Sequence, residues 1–290
     1  MDKYQKYIVS REYKSIYYFL KDNNFSENFI TNLRKEMGNL KINGEAVTIR
    51  SPLKVGDTIE IKSNPNKKTT IMQCIIPLDI VFEDDYYLLI NKPSGLSSMP
   101  SRSHYSSNLA GAICYYMEKK DKNFTLRIIN RLDKDTAGLV LVAKDSIAQK
   151  DIKDIDKTYY AICQGCIDKE LVIDKRIKTI TKNGLNQNKR VVSEDGKDAT
   201  TYVYPVKSNG KLSLIKLKLV HGRTHQIRVH LASIGYPLLN DSLYGDEKCS
   251  PNTHTMLICK EMSFYHPYKK EVLHFAVDFP NDFKTIIDNI

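Results

Sequence analysis

Apolar positions along the chain recur first at helical spacing and later at strand spacing. Ile16 and Leu20 stand four apart. Ser26 is an N-cap in front of Ile30, Leu33 and Met37, and Gly38 closes the run, so the pattern predicts a helix ending at Gly38. Arg34 and Lys35 point off its apolar face. Asn43-Gly44 supplies the positive φ angles of a tight hairpin turn between Leu40 and Val47, and Gly56-Asp57 turns the chain into a last strand ending at Ile61. Residues 1–62 therefore read as a small α+β unit of two short helices and a hairpin. Ser63 to Lys68 is polar, with Pro65 and a Lys pair, which predicts a linker over 63–77.

From Leu78 onward short β-rich segments dominate. They are Ile80–Phe82, Tyr86–Asn91, Leu139–Ala143, Lys157–Cys163, Thr200–Val206, Leu212–Val220 and Val272–Phe279. Helical patterns are fewer: Ser107–Lys119, with Leu109, Ile113 and Met117 four apart, and Thr224–Ile234, ended by Gly235 with Pro237 beyond. Many strands, few helices and no regular alternation of the two predict, over 78–290, an α+β domain around a largely antiparallel mixed sheet.

Composition narrows the class. About two-fifths of the 290 residues are hydrophobic, enough for a sizeable core, and no apolar run approaches the roughly 20 residues that span a bilayer. The N-terminal residues carry no apolar signal segment, which predicts a cytoplasmic protein with reduced thiols. Net charge is +10. Residues 1–75 hold 13 Lys or Arg against 8 Asp or Glu, and Lys175, Arg176, Lys178, Lys182, Lys189 and Arg190 are opposed within their span only by Asp174. Such patches attract a polyanion. They also occur on proteins that bind none.

One stretch carries candidate chemistry. Ile129 to Asp135 is a charge-dense segment that runs through Thr136, Ala137 and Gly138 into the apolar strand ending at Ala143-Lys144, so reactive side chains would sit on a rigid support. Other constellations are weak. Cys163 and Cys166 form a lone C-x-x-C with no second pair and read as strand and turn residues. His225 and His230 are five apart on a helix, roughly 140° around its axis, and do not share a face for a metal. Neither a G-x-S-x-G elbow nor a G-x-G-x-x-G or Walker-type loop occurs, so no metal and no cofactor is expected.

Two resemblances sharpen this. Residues 12–62 resemble the S-four-like RNA-binding domain. Arg131-Leu132-Asp133, then Thr136-Ala137-Gly138 and the strand to Ala143-Lys144, resemble the signature of the RluA-type pseudouridine synthases. Asn91-Lys92-Pro93-Ser94-Gly95-Leu96, Lys157-Thr158-Tyr159-Tyr160-Ala161 and Gly222-Arg223-Thr224-His225-Gln226-Ile227-Arg228-Val229-His230-Leu231 follow in family order, continuing to Asp241-Ser242-Leu243-Tyr244-Gly245. Four separated motifs in order are far more specific than any one alone.

The resemblance implies a cofactor-independent isomerase that detaches uracil from N1 and rejoins it through C5. It implies Asp133 as the catalytic carboxylate, Tyr159 stacking on the base, Arg228 pairing with Asp133, Arg131 filling the space of the extruded uridine and Ile227 walling the base pocket. Phosphate contacts are expected from Arg34, Lys35, Lys175, Arg176, Lys189 and Arg190. Lys134 and Asp135 read as solvated charges. The chain departs from the family pattern at Asn130, where His is common, at Ala137, where Ser is frequent, and at Asn240, where Gly is usual. The implied partner is RNA, with large-subunit ribosomal RNA ahead of transfer RNA, and the implied state is a monomer. The competing classes are a non-catalytic RNA-binding or ribosome-assembly protein on the same fold and, more distantly, a nucleoside hydrolase.

Overall fold

A computed structural model describes residues 3–64, 71–101, 105–120, 124–182, 185–245 and 254–290, and the side chains of 181–188 are not described. Pro65, the Lys67-Lys68 pair, Cys249 and the Lys182 side chain lie outside the described residues. In chain order the elements are β1 (Tyr4–Ile8), α1 (Ile16–Asp22), α2 (Glu27–Leu33), β2 (Leu40–Ile42), β3 (Glu45–Ala46), β4 (Thr58–Lys62), β5 (Ile80–Glu83) and β6 (Tyr87–Lys92). Then come α3 (Leu109–Glu118), β7 (Arg127–Ile128), β8 (Ala137–Ala143), α4 (Ser146–Asp151), β9 (Lys153–Gln164), β10 (Leu171–Asp174), β11 (Ile177–Lys182) and β12 (Leu185–Val192). The last are β13 (Thr200–Ser208), β14 (Leu212–Leu219), α5 (Gln226–Ser233), β15 (Leu257–His266), β16 (Glu271–Ala276) and α6 (Asn281–Ile287). The chain divides into two units: Met1–Leu89, Met99–Asn130 and Leu141–Ile152 form the first, and Ile90–Ser98, Arg131–Val140 and Lys153–Ile290 form the second.

In the first unit, β1-β4-β2-β3 form an antiparallel sheet. The turn joining β2 to β3 has Asn43 at φ 50° and Gly44 at φ 93°, the paired positive angles expected of this dipeptide. Ser26 caps α2 by accepting from the Phe29 N–H at 3.3 Å. The helix stops at Leu33 and does not reach Met37, which is 73% exposed. The Asn39 side-chain amide donates to the carbonyl of Leu33 at 3.3 Å, satisfying an end the sequence pattern carried one turn further. Ile16, Leu20, Ile30, Leu33, Leu53, Ile59 and Ile61 form the core beside this sheet, with Ile147 of α4 in the same cluster. In α3, one residue shorter at its end than the pattern predicts, Asn108 Oδ1 accepts from Gly111 N–H at 2.9 Å.

In the second unit the strands run β10-β13-β14-β9-β15, with β8 next to β15 and β16 also paired to β15. Every one of these pairings is antiparallel except β15 with β8. β11 and β12 form a separate hairpin. The periodicity gave no sign of β15: Lys260 and Glu261 interrupt its apolar run, yet β9 lines one of its edges, and β8 and then β16 the other. The helix expected over Thr224–Ile234 begins only at Gln226, because His225 adopts φ 57°. Asn240 also lies at φ 60°, which explains why Asn is accepted where Gly is usual: its short polar side chain tolerates the left-handed region.

Gly138 fixes the start of β8. Its φ is 108°, and a Cβ there would lie 2.2 Å from the Cys259 carbonyl oxygen of the neighbouring β15. Replacing Gly138 by Ala should destabilise the protein by about 3 kcal/mol or more, since both strain and backbone overlap oppose it. Urea unfolding should show this as a lower midpoint.

Candidate active site

The catalytic candidates Asp133, Tyr159 and Arg228, with Arg131 and Ile227, all lie in the second unit. Asp133 lies in the short segment entering β8, partly exposed, and Thr136 N–H closes a turn onto its carbonyl at 3.2 Å. A second segment, Lys92 to Ser98, holds this loop. The Lys92 ammonium, fully buried, donates to the carbonyls of Pro93 at 2.9 Å, Leu96 at 2.8 Å and Lys134 at 3.1 Å. Ser94 Oγ donates to Asp135 O at 2.6 Å. Ser98 Oγ donates to Leu132 O at 2.5 Å and accepts from Leu132 N–H at 3.2 Å. Three side chains thus tether the backbone on both sides of Asp133. Burial pushes Lys92 down to about 7, opposed by the charges of Asp135 and Asp133, while its three carbonyl partners hold the protonated form.

Tyr159, on β9, is 7% exposed and lies directly across from Cys259 of β15. Burial drives its phenol well above the ordinary range, and Cys259 and the Asp133 charge add to the shift, so the hydroxyl stays protonated. Ile227 is buried on α5, and Arg131 is exposed. Arg228 is 2% exposed.

Arg228 does not pair with Asp133 as the resemblance implied. Its Nε donates to Asp241 Oδ2 at 2.8 Å and its Nη2 to Asp241 Oδ1 at 2.6 Å. Asp241 Oδ1 also accepts from the N–H groups of Leu243 at 3.0 Å and Tyr244 at 3.1 Å. The carboxylate that fixes this guanidinium comes from the turn after α5. Asp133 acts on Arg228 through its field, as it does on His225, Tyr159 and Lys92. The carboxylate therefore stands within electrostatic reach of all four.

His225 and Tyr244 were not assigned roles by the sequence. Tyr244 Oη accepts from the Arg190 N–H at 2.7 Å and lies 3.0 Å from His225 Nδ1, and its ring lies 5.5 Å from the Arg228 guanidinium. Burial above all lowers the proton affinity of His225, which leaves Nδ1 free to accept from the tyrosine hydroxyl. His230 is a structural residue: Nε2 donates to the Lys175 carbonyl at 2.9 Å and Nδ1 accepts from Thr201 Oγ1 at 2.9 Å. Among the described residues no cluster of His, Cys, Asp and Glu could hold a metal ion, and no helix is long and apolar enough to cross a membrane.

The basic residues fare unequally. Arg176 pairs with Asp198 at 2.8 Å and Lys178 pairs with Asp195, acids that lie just beyond the basic stretch in sequence. Lys189 is exposed and lies 5.5 Å over the Tyr244 ring, while Lys175 and Arg190 are partly exposed. Arg34 and Lys35 are exposed at the end of α2, in the first unit. Asn130, at the position where His is usual, accepts from Leu141 N–H at 2.8 Å, a bond to the strand backbone.

Comparison with known proteins gives the family. The model of the RNA pseudouridylate synthase family matches residues 86–233, about half of the chain. The chain is 33% identical to an uncharacterized RNA pseudouridine synthase of Bacillus subtilis, YjbO, over 90% of its own length and 94% of that protein. It is 31% identical to ribosomal large subunit pseudouridine synthase C of Buchnera aphidicola, over 87% and 86% of the two chains. Among solved structures, human RNA pseudouridylate synthase domain containing 1 aligns with a TM-score of 0.56 at 22% identity, over 71% of this chain and 85% of that one, which shows the shared fold. The fold and motifs define an α+β isomerase acting on RNA. The chain belongs to the RNA pseudouridylate synthase family, in its RluA-type branch.

Two outcomes follow. Asp241→Asn removes one charge of a buried pair and should destabilise by about 3–5 kcal/mol at neutral pH. The Asp241 carboxyl, although burial raises it, is held below its ordinary 3.8 by Arg228 and the two backbone donors. Its contribution is therefore present above that value and is lost as pH falls through the lower folded value, so the wild type should lose stability there and Asp241→Asn should lose less, read by urea unfolding across pH. Lys92→Met, which keeps the bulk and removes the three donors, should lower kcat by about 10- to 100-fold with RNA affinity retained, because the loop carrying Asp133 loses its tether. Steady-state kinetics alongside direct binding separate the two terms.

Proposed function

We propose that the chain converts specific uridines to pseudouridine in large-subunit ribosomal RNA, with Asp133 as the catalytic carboxylate. The observation that carries this is the placement of Asp133: partly exposed on a loop tethered from three sides, with its charge reaching Arg228, Tyr159 and His225. A carboxylate that acts as a nucleophile or base must be positioned by something other than its own oxygens, and here the loop is held by its main chain. In the reaction the N1–C1′ bond breaks, a C5–C1′ bond forms, the hydrogen at C5 leaves and N1 gains a proton, so no outside energy source is required.

Tyr159, held protonated, offers the uracil a flat face and a hydroxyl donor. Arg131, exposed and two residues before Asp133, fills the gap that the extruded nucleotide leaves, as a planar guanidinium stacks well there. Ile227 closes the base pocket. Arg34 and Lys35 in the first unit, and Lys175, Lys189 and Arg190 in the second, supply phosphate contacts, with Arg176 contributing less because Asp198 engages it. The preference for ribosomal over transfer RNA rests on the named ribosomal specificity of relatives such as the Buchnera enzyme. The protein acts in the cytoplasm as a monomer.

Tritium release from RNA labelled at uridine C5 tests the reading, since that hydrogen must leave. Unmodified large-subunit ribosomal RNA should release label and transfer RNA should not, while Asp133→Asn should abolish release with RNA affinity kept within a few-fold. Release that survives in Asp133→Asn would remove this carboxylate from the chemistry. Salt-sensitive binding without release from either RNA would favour a non-catalytic RNA-binding protein.

A further inference from the structure

A cleft of about 530 Å³ in the first unit lies apart from the residues assigned above. Asn24, Phe25, Ser26, Asn28, Phe29 and Asn32 line it from the α1–α2 junction onward, together with Arg127 of β7 and Ser146, Gln149 and Lys150 of α4. Phe25 and Phe29 are stacked, with centroids 5.2 Å apart, and the Lys150 ammonium lies 4.4 Å over the Phe25 ring. No carboxylate lines the cleft.

Arg127 is half-buried, and its guanidinium donates to the Leu126 carbonyl at 3.1 Å and to Ser146 Oγ at 2.9 Å. Among the described residues it has no carboxylate at ion-pair distance. Of the nearby acids, Asp145 acts on Arg127 through its charge, while its oxygens cap the Ile147 and Ala148 N–H groups and pair with Lys3; Asp151 pairs with Lys150, and Glu27 pairs with Lys21. A guanidinium withdrawn from water without a bonded anion is unfavourable unless an anion arrives. The side-chain amides of Asn28, Asn32 and Gln149 make no hydrogen bond among the described residues, so donors and acceptors are open in the same cleft.

We propose that this cleft binds one phosphate-bearing nucleotide of the RNA, separate from the uridine being isomerised, with the phosphate on Arg127 and the base or sugar edges on the amides. The volume lies within the range of small-molecule pockets. The proposal rests on the reading of the chain as an enzyme of RNA. A free mononucleotide has the same chemistry, and the test separates the two sources.

Three variants and two probes decide it. Unmodified large-subunit ribosomal RNA and uridine 5′-monophosphate are titrated against the wild type, Arg127→Ala, Gln149→Glu and Gln149→Lys, over a series of salt concentrations. Arg127→Ala should weaken RNA binding about tenfold and reduce the log–log salt slope by about 0.7–0.9, the loss of one phosphate contact, with turnover at saturating RNA unchanged. The Gln149 side chain holds nothing in the fold, so its variants test the cleft without disturbing folding. Gln149→Glu should weaken RNA binding and Gln149→Lys should tighten it, each about threefold, because they move opposite charges next to the same phosphate. RNA affinity and salt slope unmoved by all three would overturn the proposal. So would uridine monophosphate binding that Arg127→Ala abolishes while RNA affinity stays put, which would assign the cleft to a free nucleotide. These binding readouts stand apart from tritium release: loss of release with the Gln149 pattern intact would sink the catalytic reading alone.

Discussion

The bidentate pair between Arg228 and Asp241 constrains everything around it. Both groups are almost completely withdrawn from water, at 2% and 0% exposure of their side chains. Such a withdrawal costs several kcal/mol per ion and is offset only where geometry is good and the remaining acceptor sites are filled. Here two parallel N–H···O bonds meet that condition, and the backbone donors of Leu243 and Tyr244 fill the other positions on Asp241 Oδ1. The guanidinium therefore cannot rotate. Its charge is presented at a fixed place, with the Tyr244 ring 5.5 Å away. Asp133, which does not share those bonds, keeps both carboxylate oxygens out of a permanent ion pair with Arg228. A carboxylate bound in two parallel bonds would be a weaker nucleophile than one whose oxygens stay out of such a pair.

A second constraint acts from the other side of Asp133. Lys92, Ser94 and Ser98 bind backbone atoms of residues 132, 134 and 135, so the loop is fixed by its main chain and the Asp133 side chain is left available. Beyond the loop, Gly138 admits the Cys259 carbonyl of β15, and the same Cys259 stands across from Tyr159. One strand thus sets the start of β8 and packs against the tyrosine. Preorganisation of this kind matters because a reacting group misplaced by about 1 Å can lose about 100-fold in rate.

Much of this was legible in the sequence, and what was not has identifiable causes. The Asn43-Gly44 turn, the Ser26 cap and the strands β9, β13, β14 and β16 follow from local chemistry, and the structure has them. Met37 was placed on a helix face because spacing alone cannot see that Asn39 caps the carbonyl of Leu33. The strand β15 escaped because period-2 reading assumes one apolar face, whereas Lys260 and Glu261 sit within it. The partner of Arg228 escaped because it lies 13 residues on, beyond a helix and a left-handed Asn240. Asp241 did stand in a quoted family motif, so the signal was present, but nothing in a linear pattern says which acid meets which arginine. Lys92 likewise stood in a motif, and only its three carbonyl partners show why a lysine is needed there.

Placement in space governs the basic patches in the same way. Six cations from Lys175 to Arg190 look like one electrostatic block when counted along the chain. In space Arg176 and Lys178 are engaged by Asp198 and Asp195, so the block is weaker than its count and its strength shifts toward Lys175 and Lys189. Arg127, by contrast, belongs to no run of charge and drew no attention in the sequence, yet it is half-buried without a bonded acid. A cation's use to a polyanion depends on what else it already holds. Net charge locates the partner class, and the placement of the acids decides which cations remain for it.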